Sequence, residues 1–267
     1  MRRVIICIIF GVFALAMTLP FLWMVLLSFK FQTEISQANT ILPEIWTDSN
    51  YLRVFSEVPI LRWFRNSAFV TISSTTLVVF TSTLIGFIFA KYQFRAKNLI
   101  FWLILGTMMV PPQTTMIPSF LLITNLRLYD RLLSLVIPGM VGGFGIFLCR
   151  QFIEEIPDSL CEAAVIDGAK DFYIYTRIII PLIRPAIGAL SIFMFLQFWN
   201  EYMLPLLYLS KPENMTLALA ISFFSTQRTT DIGAIMATAT LVMLPIAIVF
   251  FVFQKQFIKS IAVTGIK

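Results

Sequence analysis

The chain has 267 residues, of which 58% are hydrophobic and only 13% are charged, and its formal net charge is +6. Because a soluble domain carries about 25% charged residues, this composition predicts an integral membrane protein, and the scattered placement of the basic residues argues against nucleic-acid binding. The absence of histidine excludes histidine-based catalysis and histidine metal sites, and the three cysteines, Cys7, Cys149 and Cys161, match no metal-binding spacing.

The first predicted element follows a positively charged Met-Arg-Arg start and is a long apolar run from Val4 to Phe29. A signal peptide has an apolar core of about 7–15 residues and a small-residue cleavage site. This run is longer, and bulky residues continue along all of it. We therefore predict a retained transmembrane helix rather than a cleaved signal.

Further apolar stretches follow along the whole chain. A membrane-spanning helix requires about 20 predominantly apolar residues, and six stretches meet this requirement, at about 4–28, 67–90, 99–123, 132–153, 186–209 and 232–253. The longest polar segments between them are 29–66, 154–185 and 210–231. We therefore predict an all-α membrane protein with six spans in one transmembrane domain, residues 1–267.

The 20 Lys and Arg residues are divided unequally between the two predicted sides of the membrane. More of them lie on the side of the two termini and of segment 154–185 than on the opposite side. Cytoplasmic loops are enriched in Lys and Arg. This bias predicts that both termini and segment 154–185 face the cytoplasm.

Several predicted spans contain helix-disturbing or polar residues. The prolines are Pro111, Pro112 and Pro118 in the third span, Pro138 in the fourth, Pro205 in the fifth and Pro245 in the sixth. They fit either ordinary kinks, tolerated where neighbouring helices satisfy the freed backbone groups, or weak points in a bundle that opens. The second span is rich in hydroxyl groups between Thr71 and Thr83, which fit either a partly wet face or hydrogen bonds between helices.

Segment 154–185 interrupts this apolar chain and predicts two short helices. Ser159 and Glu162 have the spacing of a capping box, and the preceding Pro-Asp pair reinforces a helix start there. Gly168 allows a sharp bend after this first helix. The second helix is predicted from Asp171 to about Ile180, where Pro181 stops it, and Pro185 marks the start of the fifth span.

The side chains of these two helices predict a surface built for contact. A small, smooth face is expected from Leu160, Ala163, Ala164 and Ala169, while Glu162 and Asp167 can reach basic partners. The residues expected to bury against the protein's own helix ends are Phe172, Tyr175, Ile178 and Ile179. The residues themselves leave two interpretations open: a rigid knob that fits a socket in another protein, or an amphipathic helix that rests on lipid.

The same stretch resembles the EAA loop of the permease subunits of binding-protein-dependent ABC importers. The matching residues are Glu162-Ala163-Ala164, Asp167-Gly168-Ala169, Ile178 and Pro181, with Pro185 beyond. The resemblance implies the MetI-like permease fold and a coupling helix that docks in a cleft of a cytoplasmic ATPase subunit. The implied coupling residues are Ser159, Glu162, Ala163, Ala164, Asp167, Gly168, Ala169 and Pro181.

Two further segments resemble the sugar-import permeases of the maltose type. The first is FWNEYMLPLL in the fifth span, with Trp199, Asn200, Glu201 and Pro205; the second is the C-terminal QFIKSIAVTGIK, which lacks the extra terminal glycine common in that family. The similarity extends over essentially the whole chain. It implies the shorter partner of a permease heterodimer, the one resembling the maltose G-type subunit.

Glu201 stands out as the acidic residue placed well inside a predicted span. A carboxylate in the membrane interior costs several kcal/mol unless it is paired or protonated. With Asn200 it fits either a polar lining of the translocation pathway or a hydrogen bond that holds the helix bundle. The resemblance implies that the sugar site lies mainly on the other permease subunit.

These observations predict a non-enzymatic permease subunit of an ATP-driven sugar importer in the bacterial inner membrane. The implied partners are a second homologous permease, two ATP-binding subunits, an extracytoplasmic solute-binding protein, the lipid bilayer and a carbohydrate substrate; no cofactor, metal or nucleic acid is expected. The alternatives are an importer for glycerol phosphate, amino acids or peptides, and an ion-coupled secondary transporter with Glu201 as its proton relay.

Overall fold

The computed structural model describes residues 2–37, 40–225 and 231–264, with side chains described between Val4 and Val252 of these ranges. The described residues contain helices and no β-strand, so the all-α prediction is confirmed. In chain order the helices are α1 (Arg2–Ser28), α2 (Gln32–Gln37), α3 (Ser49–Glu57), α4 (Ile60–Lys91), α5 (Lys97–Thr107), α6 (Pro112–Asn125), α7 (Leu133–Val136), α8 (Gly143–Glu154), α9 (Asp158–Ile166), α10 (Asp171–Leu182), α11 (Arg184–Trp199), α12 (Met203–Tyr208), α13 (Leu217–Ser225) and α14 (Ile232–Thr264).

Three described helices are long and apolar enough to cross a membrane: Val4–Ser28 within α1, all of α4, and Ile232–Val252 within α14. Two further candidates are bent pairs. The axes of α5 and α6 differ by 98°, and those of α10 and α11 by 79°. Helix length and composition therefore account for three spans, or five if each bent pair crosses once.

The third and fourth predicted spans do not form single straight helices. Stretch 99–123 is interrupted at 108–111, where Pro111 precedes a helix that starts at Pro112. Stretch 132–153 contains α7 and α8 separated by six residues that include Pro138 and Gly139. Proline lacks the backbone N–H and clashes with the preceding turn, which explains why the apolar pattern continues while the helix stops.

The chain divides into two compact units, and the first contains Met1–Phe64 with Thr216–Ala247. Within it, α1 exposes its side chains along residues 4–23. Asn50 is buried and donates to the carbonyls of Ser28 at 2.9 Å and Lys30 at 2.8 Å. The Lys30 ammonium is also buried and lies 3.2 Å from the Glu34 carboxylate. These polar contacts hold α3 against the end of α1.

The second unit contains Arg65–Met215 with Ile248–Lys267. Its largest core cluster joins α4, α8, α10 and α11 through buried residues that include Phe87, Cys149, Tyr175, Ile179 and Leu190. Helices α4 and α8 approach closely at Gly86, where an added Cβ would lie 2.9 Å from the Cys149 Cβ and the Arg150 nitrogen. Segment 154–185 thus packs against α4, α8 and α11 through this core.

At another corner of this unit, Asp130 organises the segment that follows α12. Its carboxylate accepts hydrogen bonds from the amides of Ser210 and Lys211, both at 3.0 Å. Burial by itself raises the pKa of Asp130, but these two amide donors hold it below its usual value. The polar groups of this corner are thus satisfied within the chain.

Candidate functional site

The first helix of segment 154–185, α9, starts two residues earlier than a capping box at Ser159 requires. Pro157 is the N-cap and Asp158 the first helical residue, and no side chain makes a capping hydrogen bond. The predicted capping box between Ser159 and Glu162 is therefore wrong, because Ser159 lies inside the first turn. Asp158 suits this position because a carboxylate is stabilised by the partial positive charge at a helix N-terminus.

The bend after α9 is a left-handed turn at Gly168, as predicted. Gly168 has φ of 83°, which glycine adopts without the steric penalty of other residues. Its amide donates to the Val165 carbonyl, and the Ala169 amide donates to the Ala164 carbonyl, both at 2.9 Å. This hydrogen-bond pair is a Schellman motif, which closes a helix end.

The second helix, α10, continues past the predicted stop. It starts at Asp171 as expected but runs through Pro181 to Leu182, with a π-helical turn over Ile174–Ile179. A proline within a helix clashes with the carbonyl four residues earlier, which here belongs to Arg177. The wider turn relieves this clash, so the break falls after Leu182 instead.

The outer surface of the segment is formed by those side chains of residues 157–173 that are exposed to solvent. We call this surface the loop knob. Its exposed apolar residues are Leu160, Ala163, Val165, Ile166, Phe172 and Tyr173, and its exposed polar residues include Ser159, Glu162 and Asp167. Ile166 is 86% exposed and Phe172 is 69% exposed. Within the described residues, neither Glu162 nor Asp167 forms an ion pair.

Two expectations for this surface were only partly correct. Of the three alanines, only Ala163 is fully exposed, because Ala164 and Ala169 pack against the core of the second unit. Tyr175 and Ile179 are buried and Ile178 is partly buried, as predicted. Phe172 was expected to be buried and is not, because it precedes the π turn and points away from the core.

The inner side of the segment is held by the C-terminal end of α4. The Lys91 ammonium donates to the Ile156 carbonyl and to the Asp158 carboxylate, the latter at 2.6 Å. The Lys91 hydrogen bond and charge keep the pKa of Asp158 below its usual value. Tyr92 and Asp171 line the same groove, and burial together with the Asp171 carboxylate raises the pKa of Tyr92 to about 12.

Two open grooves border the loop knob. One, of about 370 Å³, is lined by Phe87, Lys91, Tyr92, Cys161, Glu162, Val165, Ile166, Asp171 and Ile174. The other, of about 630 Å³, is lined by Ala164, Asp167, Gly168, Ala169, Lys170, Tyr173, Arg177 and Ile178. The loop knob thus has a concave surface on two sides.

Asn200 and Glu201 lie elsewhere, in the break between α11 and α12. The Glu201 carboxylate accepts hydrogen bonds from the amides of Met203 at 3.0 Å and Leu204 at 3.2 Å. The Asn200 amide donates to the Leu196 carbonyl one turn back at 2.9 Å. Both polar side chains therefore bond to nearby backbone, and among the described residues neither forms a hydrogen bond to a distant helix.

The structure brings the eight predicted coupling residues into one segment, and it adds three that the sequence did not single out. Thr83, Lys91 and Tyr92 of the α4 end contact that segment directly. Their sequence signals were general ones: Thr83 is one of many hydroxyl residues in the second predicted span, and Lys91 is a basic residue at its end. The predicted C-terminal tail, 256–267, lies outside the residues whose side chains are described.

Comparison with known proteins identifies relatives along the whole chain. Residues 82–263 match the family described as binding-protein-dependent transport system inner membrane component. The arabinooligosaccharides transport system permease protein AraQ of Bacillus subtilis (strain 168) is 32% identical, covering 99% of this chain and 96% of the relative. The sn-glycerol-3-phosphate transport system permease protein UgpE of Shigella flexneri serotype 5b is 31% identical, covering 77% of this chain and 74% of the relative.

The fold also matches a solved structure. A chain of a bacterial ABC transporter involved in the import of the acidic polysaccharide alginate superimposes with a TM-score of 0.81 at 24% identity, covering 94% of this chain and 95% of that chain. This likeness confirms the MetI-like permease fold. Together with the match over residues 82–263, it leads to one conclusion: the chain belongs to the family of binding-protein-dependent transport system inner membrane components.

Proposed function

We propose that this chain is the permease subunit of an ATP-driven carbohydrate importer, forms half of the translocation pathway, and couples to a cytoplasmic ATPase through segment 154–185. Family membership makes the chain a multi-pass inner-membrane transport subunit that leaves ATP hydrolysis to separate subunits. It also removes the alternative of an ion-coupled secondary transporter. The exposed apolar face of the loop knob is the single observation that carries the coupling assignment.

The argument for docking rests on what the loop knob exposes. Leu160, Val165, Ile166 and Phe172 are 46%, 56%, 86% and 69% exposed, although the segment is otherwise well anchored. Clustered apolar side chains at a rigid surface are typical of an interaction site. Lipid is the competing explanation, but Glu162 and Asp167 lie among them, and negative charge is repelled by an anionic leaflet. A protein socket with basic groups fits better.

We propose six spans in a single domain, residues 1–267, with both termini in the cytoplasm. The span that helix length does not account for is the fourth, which we assign to the pair α7 and α8, because together they cover the apolar stretch 132–153. An interrupted helix is tolerated at membrane depth where protein surrounds the break, and α8 is buried at Gly145, Ile146, Cys149 and Ile153. The Lys and Arg bias supports the orientation.

For the assembly, we propose a heterodimer with a homologous permease, two copies of an ATPase below it and a solute-binding protein outside. An ABC importer permease implies an ATPase and a binding protein. This chain has one loop knob and can therefore dock on one copy of the ATPase. A second permease with its own knob would dock on the other copy.

For the substrate, we propose an oligosaccharide, because the named relatives include an arabinooligosaccharide permease that covers nearly the whole chain. Glycerol phosphate is the second candidate, since a permease for it is also similar. We further propose that the α11–α12 break, with Asn200 and Glu201, lines the pathway. Interrupted helices supply exposed backbone and polar groups to transport pathways.

The test is reconstitution of the chain with its neighbouring permease, ATPase and binding protein in proteoliposomes. We expect uptake of a labelled oligosaccharide that requires internal ATP, and no uptake of glycerol 3-phosphate. Uptake without ATP, or a complex that retains no ATPase during purification, contradicts the proposed function. If only glycerol 3-phosphate is taken up, the assignment as an ATP-driven importer stands and the proposed substrate is wrong.

A further inference from the structure

The end of α4 and segment 154–185 share a buried polar contact. Tyr175 lies in the π turn of α10 and is 4% exposed, and Thr83 of α4 is 1% exposed. Their hydroxyl oxygens are 2.8 Å apart. The Tyr175 ring also packs against Phe87, one helical turn further along α4, with ring centroids 5.6 Å apart.

Either hydroxyl can donate in this hydrogen bond. The Thr83 oxygen also lies 2.8 Å from the Val79 carbonyl and 3.0 Å from the Phe80 carbonyl of its own helix. Thr83 therefore has acceptors for its hydrogen besides Tyr175. Removing the Tyr175 hydroxyl therefore leaves Thr83 satisfied by its own helix.

Two more polar contacts lie at the surface end of the same stretch. Lys91 donates to the Ile156 carbonyl and to the Asp158 carboxylate at the start of α9. From Thr83 to Lys91 the helix rises about 12 Å at 1.5 Å per residue. Polar contacts thus join α4 to the segment at two points about 12 Å apart along the helix.

From this arrangement we propose that the end of α4, residues 83–92, moves as one body with segment 154–185, and that Tyr175 is the positioning residue that fixes it there. The proposal rests on the proposed coupling of this segment to an ATPase. Apolar packing in the core is not directional, whereas a buried hydrogen bond specifies one register. Motion at the loop knob therefore reaches α4 directly, besides the flanking α8 and α11.

The π turn supports this role. π-helical turns are rare and occur frequently at functional sites, and this one carries Tyr175 into the core beside Ile179. If this turn were a regular α-helical turn, the residues after it would be rotated by about 100° about the helix axis, because 3.6 residues complete one α-helical turn. Tyr175, within the turn, is 4% exposed, whereas Phe172, before the turn, is 69% exposed.

The test uses Tyr175→Phe, Thr83→Val and the double variant in the full reconstituted importer, with ATP hydrolysis and solute uptake measured on the same vesicles. We expect the solute imported per ATP hydrolysed to fall about three- to tenfold in either single variant, the effect of one hydrogen bond. The double variant should fall no further, since both changes remove the same contact. ATP hydrolysis and ATPase association should persist.

Matched controls are Tyr129→Phe and Thr124→Val. Tyr129 is 41% exposed, and Thr124 is an exposed helical threonine whose hydroxyl donates to its own helix, as that of Thr83 does. Both should keep the wild-type ratio. An unchanged ratio in the single variants, or effects that add in the double variant, overturns the role of Tyr175. A wild-type chain that captures no ATPase overturns the proposed function itself, so the two failures are distinct.

Discussion

The loop knob and the α11–α12 break each place an acidic residue beside small or polar neighbours. In the knob, Glu162 lies on a closed helical turn, and its carboxylate is directed to solvent. In the break, Glu201 precedes two backbone amides at the start of α12, and its carboxylate accepts from both. The backbone thus fixes the position of the Glu201 carboxylate, whereas the Glu162 carboxylate is oriented by its exposed helix face alone.

The largest effect is expected at Gly168, where the knob depends on backbone geometry. Gly168→Arg should abolish uptake, lowering it at least about tenfold, because a left-handed residue with a side chain costs about 1–2 kcal/mol and the long side chain covers the contact surface. Nothing lies within 4 Å of an added Cβ at this position, so the chain should still insert in the membrane. The measurement is uptake normalised to the amount of chain in the membrane fraction.

Gly168→Asn is the matched control for this change. Asparagine tolerates the left-handed conformation and often ends helices there, so it should retain most of the uptake. Normal transport by the arginine variant would refute docking at this bend.

The Glu201 pair of variants separates a structural role from a pathway role. Glu201→Ala leaves the amides of Met203 and Leu204 without their acceptor and should destabilise the fold by about 1–3 kcal/mol. Glu201→Gln keeps a side-chain oxygen that can accept both hydrogen bonds, so its melting temperature should match the wild type. Thermal unfolding in detergent and uptake in vesicles are measured on both.

With stability preserved in Glu201→Gln, uptake reports on the charge alone. We expect it to fall severalfold while ATPase association is unchanged, because a pathway lining loses its negative charge. Full uptake by Glu201→Gln would assign Glu201 to backbone capping only.

The smallest effect concerns the Lys91–Asp158 contact. Because the folded-state pKa of Asp158 lies below its usual value, the contact's contribution is complete above about pH 4, the ordinary aspartate pKa, and is lost as the pH falls through the lower folded value. The protection of the first amides of α9 against hydrogen exchange should therefore stay constant between neutral and mildly acidic pH. Earlier loss of protection would mean that Lys91 does not stabilise the charged form.

Much of this arrangement follows from the sequence because its signals are local. Apolar length predicts α1, α4 and α14, and the need for a left-handed residue predicts the turn at Gly168. Contacts between distant segments have no such local signal: Thr83 is one of many hydroxyls on its helix, and only the fold shows that it meets Tyr175. The capping box at Ser159 failed for a similar reason, since Lys91 and Pro157 determine where α9 starts.

The most direct test of the account is site-specific capture from the loop knob. In a chain with Cys7 and Cys161 replaced by serine and the buried Cys149 retained, a thiol-linked photo-crosslinker is placed at Ala163→Cys, Ala164→Cys or Ser210→Cys. Ala163 is exposed, Ala164 is half-buried, and Ser210 is exposed on the segment predicted to be external. We expect strong capture of the ATPase from position 163, weaker capture from 164 and none from 210. No capture from 163 and 164, or equal capture from 210, contradicts the account.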